Sequence, residues 1–249
     1  MTHAITIWML KLVPNGRFGR WLCAGAILLI GLTAYGAAAL ARFPSFDEYL
    51  EFGSWSVAAF FVCAVAYIVP VFHYITSRAT RTIQRLAPFL TDADAEQTRS
   101  QVERRTVQWS IRTVLLATAL WLLQSRILAG SWLTMLESLT NNPYSFLMAI
   151  GPLPVWVTMS VAMGALFGNA LLFRQLATRL DVEILEPESY MPVGTMAVTS
   201  TLVVLGALGL LSIMWLGGPV NWWTTLPALS FFTPLLVLLL LIPVWPLRR

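Results

Sequence analysis

Charge is what this sequence has least of. Only 11% of its 249 residues are Asp, Glu, Lys or Arg, and 57% are apolar. A soluble domain usually carries about 25% charged residues. So little charge cannot cover a globular surface of this size, which excludes an ordinary soluble enzyme and a disordered chain. Cysteine is almost missing too. Cys23 and Cys63 are the only two, each inside an apolar run and with no C-x-x-C. That excludes a disulfide scaffold, and no zinc or iron–sulfur spacing is present. The signatures of common enzymes are also absent: there is no P-loop, G-x-G-x-x-G, H-E-x-x-H or G-x-S-x-G.

The sharpest absence concerns carboxylates. All twelve Asp and Glu residues fall outside the long apolar runs. Ion-coupled transporters usually carry carboxylates within their spans as relays. The pattern therefore argues against an ion-driven pump and against an intramembrane aspartyl protease, and it leaves room for a facilitator. No catalytic residue, cofactor or metal is expected, and the chain reads as a non-enzyme. The net charge of +4 comes from scattered residues, fifteen arginines and the single Lys11. It forms no basic patch, so no nucleic-acid partner is expected.

Long uncharged runs are what the sequence does contain. A span needs roughly 20 apolar residues for a hydrocarbon core of about 30 Å. Trp21 to Ala41 is uncharged over 21 residues, and Phe52 to Ser77 over 26. Ser138 to Phe173 gives 36, and Glu188 and Arg248 bracket another 59. The Gly217-Gly218-Pro219 cluster with Asn221 divides that last run in two. The expected fold is all-α, a polytopic bundle forming one integral membrane domain over 1–249. Six spans are expected, at about 21–41, 53–76, 106–126, 147–172, 196–216 and 225–245. The fourth is set to begin near Leu147, past the Asn141-Asn142-Pro143 turn cluster, with Pro152 and Pro154 in its first turns.

Orientation follows from the excess of Lys and Arg in cytoplasmic loops. With a cytoplasmic N-terminus, thirteen of the sixteen basic residues lie inside, only Arg42 and Arg126 lie outside, and Arg112 is within a span. Both termini are then cytoplasmic, as are the loops at about 77–105 and 173–195. Several tryptophans, among them Trp21, Trp55 and Trp215, fall near expected span ends, as interfacial belts favour. In the first loop, Arg78, Arg81 and Arg85 share a helical face. Thr91 with Asp94 reads as a helix cap, so the expected loop is a helical hairpin continuing spans two and three. The second loop is acidic, with Asp181, Glu183, Glu186 and Glu188. A cleaved signal peptide is the competing reading of the first span: Ala39-Leu40-Ala41 is an A-x-A-like site behind a basic segment. The twenty-residue leader containing Trp8, Met9 and Leu10 argues against it.

Five residues are the candidates for function. Arg112 is the one charge clearly inside a span, placed either to snorkel to the cytoplasmic headgroups or to bind an anion or lipid headgroup. His73 lies near the cytoplasmic end of the second span, either as an interfacial histidine or as a pH-sensing or ligand-binding group. Gly164 and Gly168, followed by Asn169, form a G-x-x-x-G, and Ala34 and Ala38 repeat the spacing in the first span. Small residues admit close helix approach and Asn can bond across, within one chain or between two copies. The two cysteines sit at different expected depths and should not pair.

The segments Thr91 to Arg105 and Leu180 to Val193, above all Val182-Glu183-Ile184-Leu185-Glu186-Pro187, faintly resemble loops of uncharacterised bacterial multi-pass membrane proteins. The resemblance spans about thirty residues and implies no activity. It implies a cytoplasmic helix after the last span; here the chain reaches Arg249 just past that span, so the tail is either absent by nature or missing from a fragment. Together these readings give a bacterial inner-membrane protein acting as an anchor, assembly or sensory module. The bilayer is its partner, together with a second copy or another membrane protein. The alternative is a small channel or facilitator with Arg112 and His73 near its cytoplasmic mouth.

Overall fold

The computed structural model describes residues 13–14, 18–51, 54–86, 112–126, 131–177, 187–217, 233–234 and 236–242. Among them there is no strand. The helices are α1 (Gly19–Arg42), α2 (Phe46–Glu51), α3 (Trp55–Leu86), α4 (112–126), α5 (Trp132–Asn141), α6 (Pro143–Ile150), α7 (Pro152–Ala177), α8 (Pro187–Leu210) and α9 (236–242). A 3-10 turn, Leu211–Gly217, extends α8. Four helical stretches are long and apolar enough to cross a membrane: Gly19–Arg42, Trp55–Leu86, Pro143–Ala177 and Met191–Leu216.

Arginines bracket α1, with Arg20 in its first turn and Arg42 in its last. Its 24 residues extend about 36 Å at 1.5 Å each. One stripe is buried: Cys23, Tyr35, Ala38 and Ala39, with Ile27 and Leu28 packed alongside. These positions recur at helical spacing, so α1 lies on its neighbours by a single face. The other face carries Leu29 and Ile30, both 70% exposed. Close approach to α3 occurs at Gly31, where an added Cβ would meet Val62 Cγ1 at 2.6 Å. The alanine pair expected to do this is split, for Ala38 is buried and Ala34 exposed.

Helix α3 is the hub. Packed on it are α1, α7, α8 and the 3-10 turn. At 32 residues it extends about 48 Å, beyond a hydrocarbon core of about 30 Å. The excess is its C-terminal third, where Arg81, Gln84 and Arg85 are exposed while Ile75, Ala79 and Leu86 stay buried. The helix continues through the cationic face beyond the apolar run, as the spacing of Arg78, Arg81 and Arg85 implies. Pro70 inside it removes the donor that would meet the Ala66 carbonyl. Membrane helices tolerate this because neighbours can serve the freed group.

Two stacked cores follow from this arrangement. One gathers α1, the first half of α3, Tyr144 of α6 and the start of α7 around Phe61, Val69 and Phe72. The second gathers the later turns of α3 and α7 with α8 and α9 around Ile75, Phe173, Val204 and Leu239. Contacts fix the chain directions. Arg20 of α1 meets Tyr74 and Gly31 meets Val62, so α1 runs antiparallel to α3. Tyr67 bonds to Val203 and Ser56 to Met214, so α8 does the same.

The fourth expected span begins earlier than Leu147. Asn142 caps the helix, its Oδ1 accepting from Ser145 N at 2.8 Å, and Pro143 occupies the first turn. A proline there forfeits only an N–H that has no helical partner. What reads as a turn cluster is therefore a start signal. The break at Gly151 is slight, since its φ and ψ of −50° and −38° remain helical. Before it, Ser131 caps α5, an additional helix in the segment between the third and fourth expected spans. Both ends of the expected loop at 173–195 are helical, from Ala177 backward and Pro187 onward. The cap at Thr91 and Asp94, the acidic run 181–186, the start of the third span, the turn at 218–221 and most of the sixth span lie outside the described residues.

Gly206 lies directly under the Tyr67 phenol, whose oxygen and ring carbon would collide with an added Cβ. That phenol donates to Val203 O at 3.0 Å. Tyr67→Phe should cost about 0.6 kcal/mol and at most about 1.7, the range for such bonds in membranes. Gly206→Ala should cost more in the native background and almost nothing beside Tyr67→Leu. Thermal unfolding in detergent across that double-mutant cycle checks it.

Candidate functional site

Polar chemistry in the described residues concentrates at the two ends of the α1–α3 pair. The first end is cationic. The Arg20 guanidinium lies over the Tyr74 ring, 5.1 Å from its centroid. Arg78, one turn further along α3, lies 5.8 Å from the same centroid and donates to the Tyr74 hydroxyl at 2.7 Å. The i, i+4 spacing brings Tyr74 and Arg78 together, and the antiparallel packing of α1 delivers Arg20. The two guanidiniums are thus at most about 11 Å apart. At an effective dielectric near 20 their repulsion is at least about 1.5 kcal/mol. The aromatic face offsets part of this, since a cation over a ring gains about 0.5–2 kcal/mol.

His73 adjoins this pair. It is half-buried, and its Nδ1 is enclosed without a hydrogen-bond partner among the described residues. A buried polar nitrogen left so costs more than a satisfied one. Arg112 does not join the cluster in any contact described. It is exposed, at the first described residue of α4. Gly164 and Asn169 are buried on α7, while nothing lies within 4 Å of where a Cβ on Gly168 would stand. Among the described residues no group of three His, Cys, Asp or Glu could hold a metal.

The second end is aromatic. Phe43, Tyr49 and Tyr144 form a triangle of rings with centroids 5.4–5.8 Å apart. Two of the three contacts are edge-to-face, the geometry that ring quadrupoles favour. Arg42 spans the rim, over Phe43 and Tyr144 and donating to Ser145 Oγ at 2.9 Å. The Tyr144 and Ser54 hydroxyls are bonded to each other. Nearby, Tyr35 donates to Leu147 O at 2.9 Å. This clasp ties α1, α2, α6 and the start of α3 together. Burial, then the neighbouring Tyr144, raises the pKa of the Tyr49 phenol well above its ordinary value.

In the sequence, Arg20 marks topology, Arg78 marks topology and a cationic helical face, and Tyr74 falls within the second uncharged run. The local signal was present in the Tyr74–Arg78 spacing, but Arg20 arrives only through tertiary packing. The clasp likewise had a faint signal, with Phe43, Phe46 and Tyr49 following Arg42 at helical intervals. Tyr144 is a hundred residues away.

No family model matches the chain, and no curated protein or solved structure matches it.

Two outcomes test the clasp. Tyr144→Phe keeps the ring and loses one hydroxyl, and Tyr144→Ala removes a side chain only 2% exposed. The alanine variant should be destabilised by about 3–5 kcal/mol and the phenylalanine variant far less, read by thermal unfolding. Because the Tyr49 pKa is raised on folding, the folded chain holds that proton more tightly. Its contribution should be constant below about pH 10, the ordinary tyrosine value, and fall as pH rises above it. Tyr49→Phe should flatten that alkaline loss.

Proposed function

We propose that this chain is a six-span protein of the bacterial inner membrane with both termini in the cytoplasm. In this reading it serves as a non-enzymatic anchor, assembly or sensory module. The observation that carries the proposal is the apolar surface left open on the outer helices. Only 22% of the most apolar window is buried in α1, and the same in Met191–Leu216. Soluble monomers rarely expose apolar patches beyond a few hundred Å². Lipid covers such faces, and so do the helices of a partner or second copy. The alternating directions of α1, α3 and α8 agree with a serpentine path, and α4 and α9 fall within the proposed third and sixth spans.

The cationic end of the α1–α3 pair then faces the cytoplasm and the aromatic clasp faces outward. Leu133 and Leu136 are exposed on α5, which suits a short helix lying in the outer interface. A second reading is the facilitator, favoured by His73 Nδ1, which has no hydrogen-bond partner among the described residues. In that case Arg112 and His73 line the cytoplasmic mouth. Reconstituted in liposomes, an anchor leaves solute permeability unchanged. A flux abolished by His73→Ala and by Arg112→Leu would favour the facilitator.

Alkaline-phosphatase fusions test the topology. Fusions after Phe46 and after Pro219 should be active, and one after Asp94 inactive. Activity at Asp94 would overturn the orientation.

A further inference from the structure

We propose that Arg20, Tyr74 and Arg78 form a clamp for an anionic phosphate group carried by a phospholipid headgroup. Three observations converge on it. First, two guanidiniums from different helices are held against one ring, at 5.1 and 5.8 Å from its centroid. Among the described residues neither has a carboxylate partner. The described acids whose side chains can be placed, Asp47, Glu48 and Glu137, belong to α2 and α5; α2 follows the opposite end of α1. Guanidinium forks match phosphate oxygens in shape and charge, and Tyr74 fixes the Arg78 fork through its hydroxyl.

Second, the clamp lies at the positive end of a helix and beside a polar ring. Arg20 stands in the first turn of α1, whose preceding residue, Phe18, provides no side-chain cap. The positive end of the dipole of a 24-residue helix therefore lies at this level. His73 Nδ1, on the residue beside Tyr74, is enclosed without a partner among the described residues. An anion seated here relieves the repulsion between the arginines.

Third, depth and surroundings fit a lipid. Counting about 30 Å along α3 from Trp55 at 1.5 Å per residue ends near Tyr74, the level of the headgroups. Next to Arg20, Trp21 and Leu22 are 77% and 64% exposed. They offer an indole at the interface and an apolar surface for acyl chains directly below the charge. A free phosphate would use the arginines and ignore that apolar surface. Among the described residues the exposed Arg81 and Arg85, further along α3, stack on no ring.

The assignment rests on α1 and α3 crossing the membrane with this end at its surface, which the phosphatase fusions test separately. The direct experiment is native mass spectrometry of the full chain in detergent. It is run with phosphatidylglycerol, with phosphatidylcholine, and with phosphatidylglycerol plus inorganic phosphate. The wild type should retain phosphatidylglycerol at least tenfold better than phosphatidylcholine. Arg20→Gln with Arg78→Gln should lose that preference, and Arg81→Gln should keep it. Equal retention by the double variant, or equal loss in Arg81→Gln, would overturn the clamp. Full displacement by inorganic phosphate with no preference between the two lipids would overturn the lipid assignment. A measurement on the wild type alone guards against a variant that does not fold. In bicelles, phosphorus NMR should show the phosphatidylglycerol resonance broadened selectively by the chain, and equal broadening of both lipids would overturn the proposal.

Discussion

In hydrocarbon no water is available to finish a hydrogen bond, so each polar group on a spanning helix needs its acceptor within the protein. The described helices meet that demand in two ways. Hydroxyls fold back on their own helix: Thr76 to Phe72 O, Ser77 to His73 O, Thr158 to Pro154 O, Thr199 to Thr195 O. Longer side chains reach across: Tyr35 to Leu147 O, Tyr67 to Val203 O, Trp121 to Ala149 O, Trp156 to Gln124. Every cross-helix bond among these is uncharged. Buried charge pairs would carry a desolvation cost that neutral donors avoid.

That constraint shapes the packing as well. Lipid tails are as apolar as leucine, so burying one apolar face against another gains little by transfer from lipid, and fit has to hold the helices together. Fit is visible at Gly31 against Val62 and at Gly206 beneath Tyr67, where no larger residue has space. Phe72 and Ile75, both fully enclosed, hold α3 between its neighbours. Arginines gather with aromatic rings at the two ends, one cluster round Tyr74 and the other round Tyr144. Both ends use a tyrosine as the piece that arginine stacks upon.

Much of the fold is written in one-dimensional patterns. The uncharged run from Trp21 to Ala41 is α1 almost to the residue, and the arginine spacing past Ser77 shows that α3 continues. Local chemistry is ambiguous where one signal has two meanings. Asn142-Pro143 looks like a turn and is a cap with a first-turn proline. Close contacts were less legible than elements, because they depend on which helix arrives opposite. Gly168 sits in a recognisable motif yet has open space before it, while Gly31 and Gly206 sit in none and are tightly covered. The cationic site shows the same limit. Tyr74 and Arg78 are neighbours by helical spacing, but Arg20 is more than fifty residues away and joins them only because α1 packs antiparallel on α3.

Both polar ends depend on α1 lying antiparallel on α3 at the Gly31–Val62 contact. In a background with Cys23→Ala and Cys63→Ala, Gly31→Cys and Val62→Cys should form an intramolecular disulfide when native membranes are mildly oxidised. The product should appear as a monomer of altered gel mobility, with each single variant unchanged. Cross-linking only between chains, or none at all in a chain that remains inserted, would contradict the packing on which both ends of the structure rest.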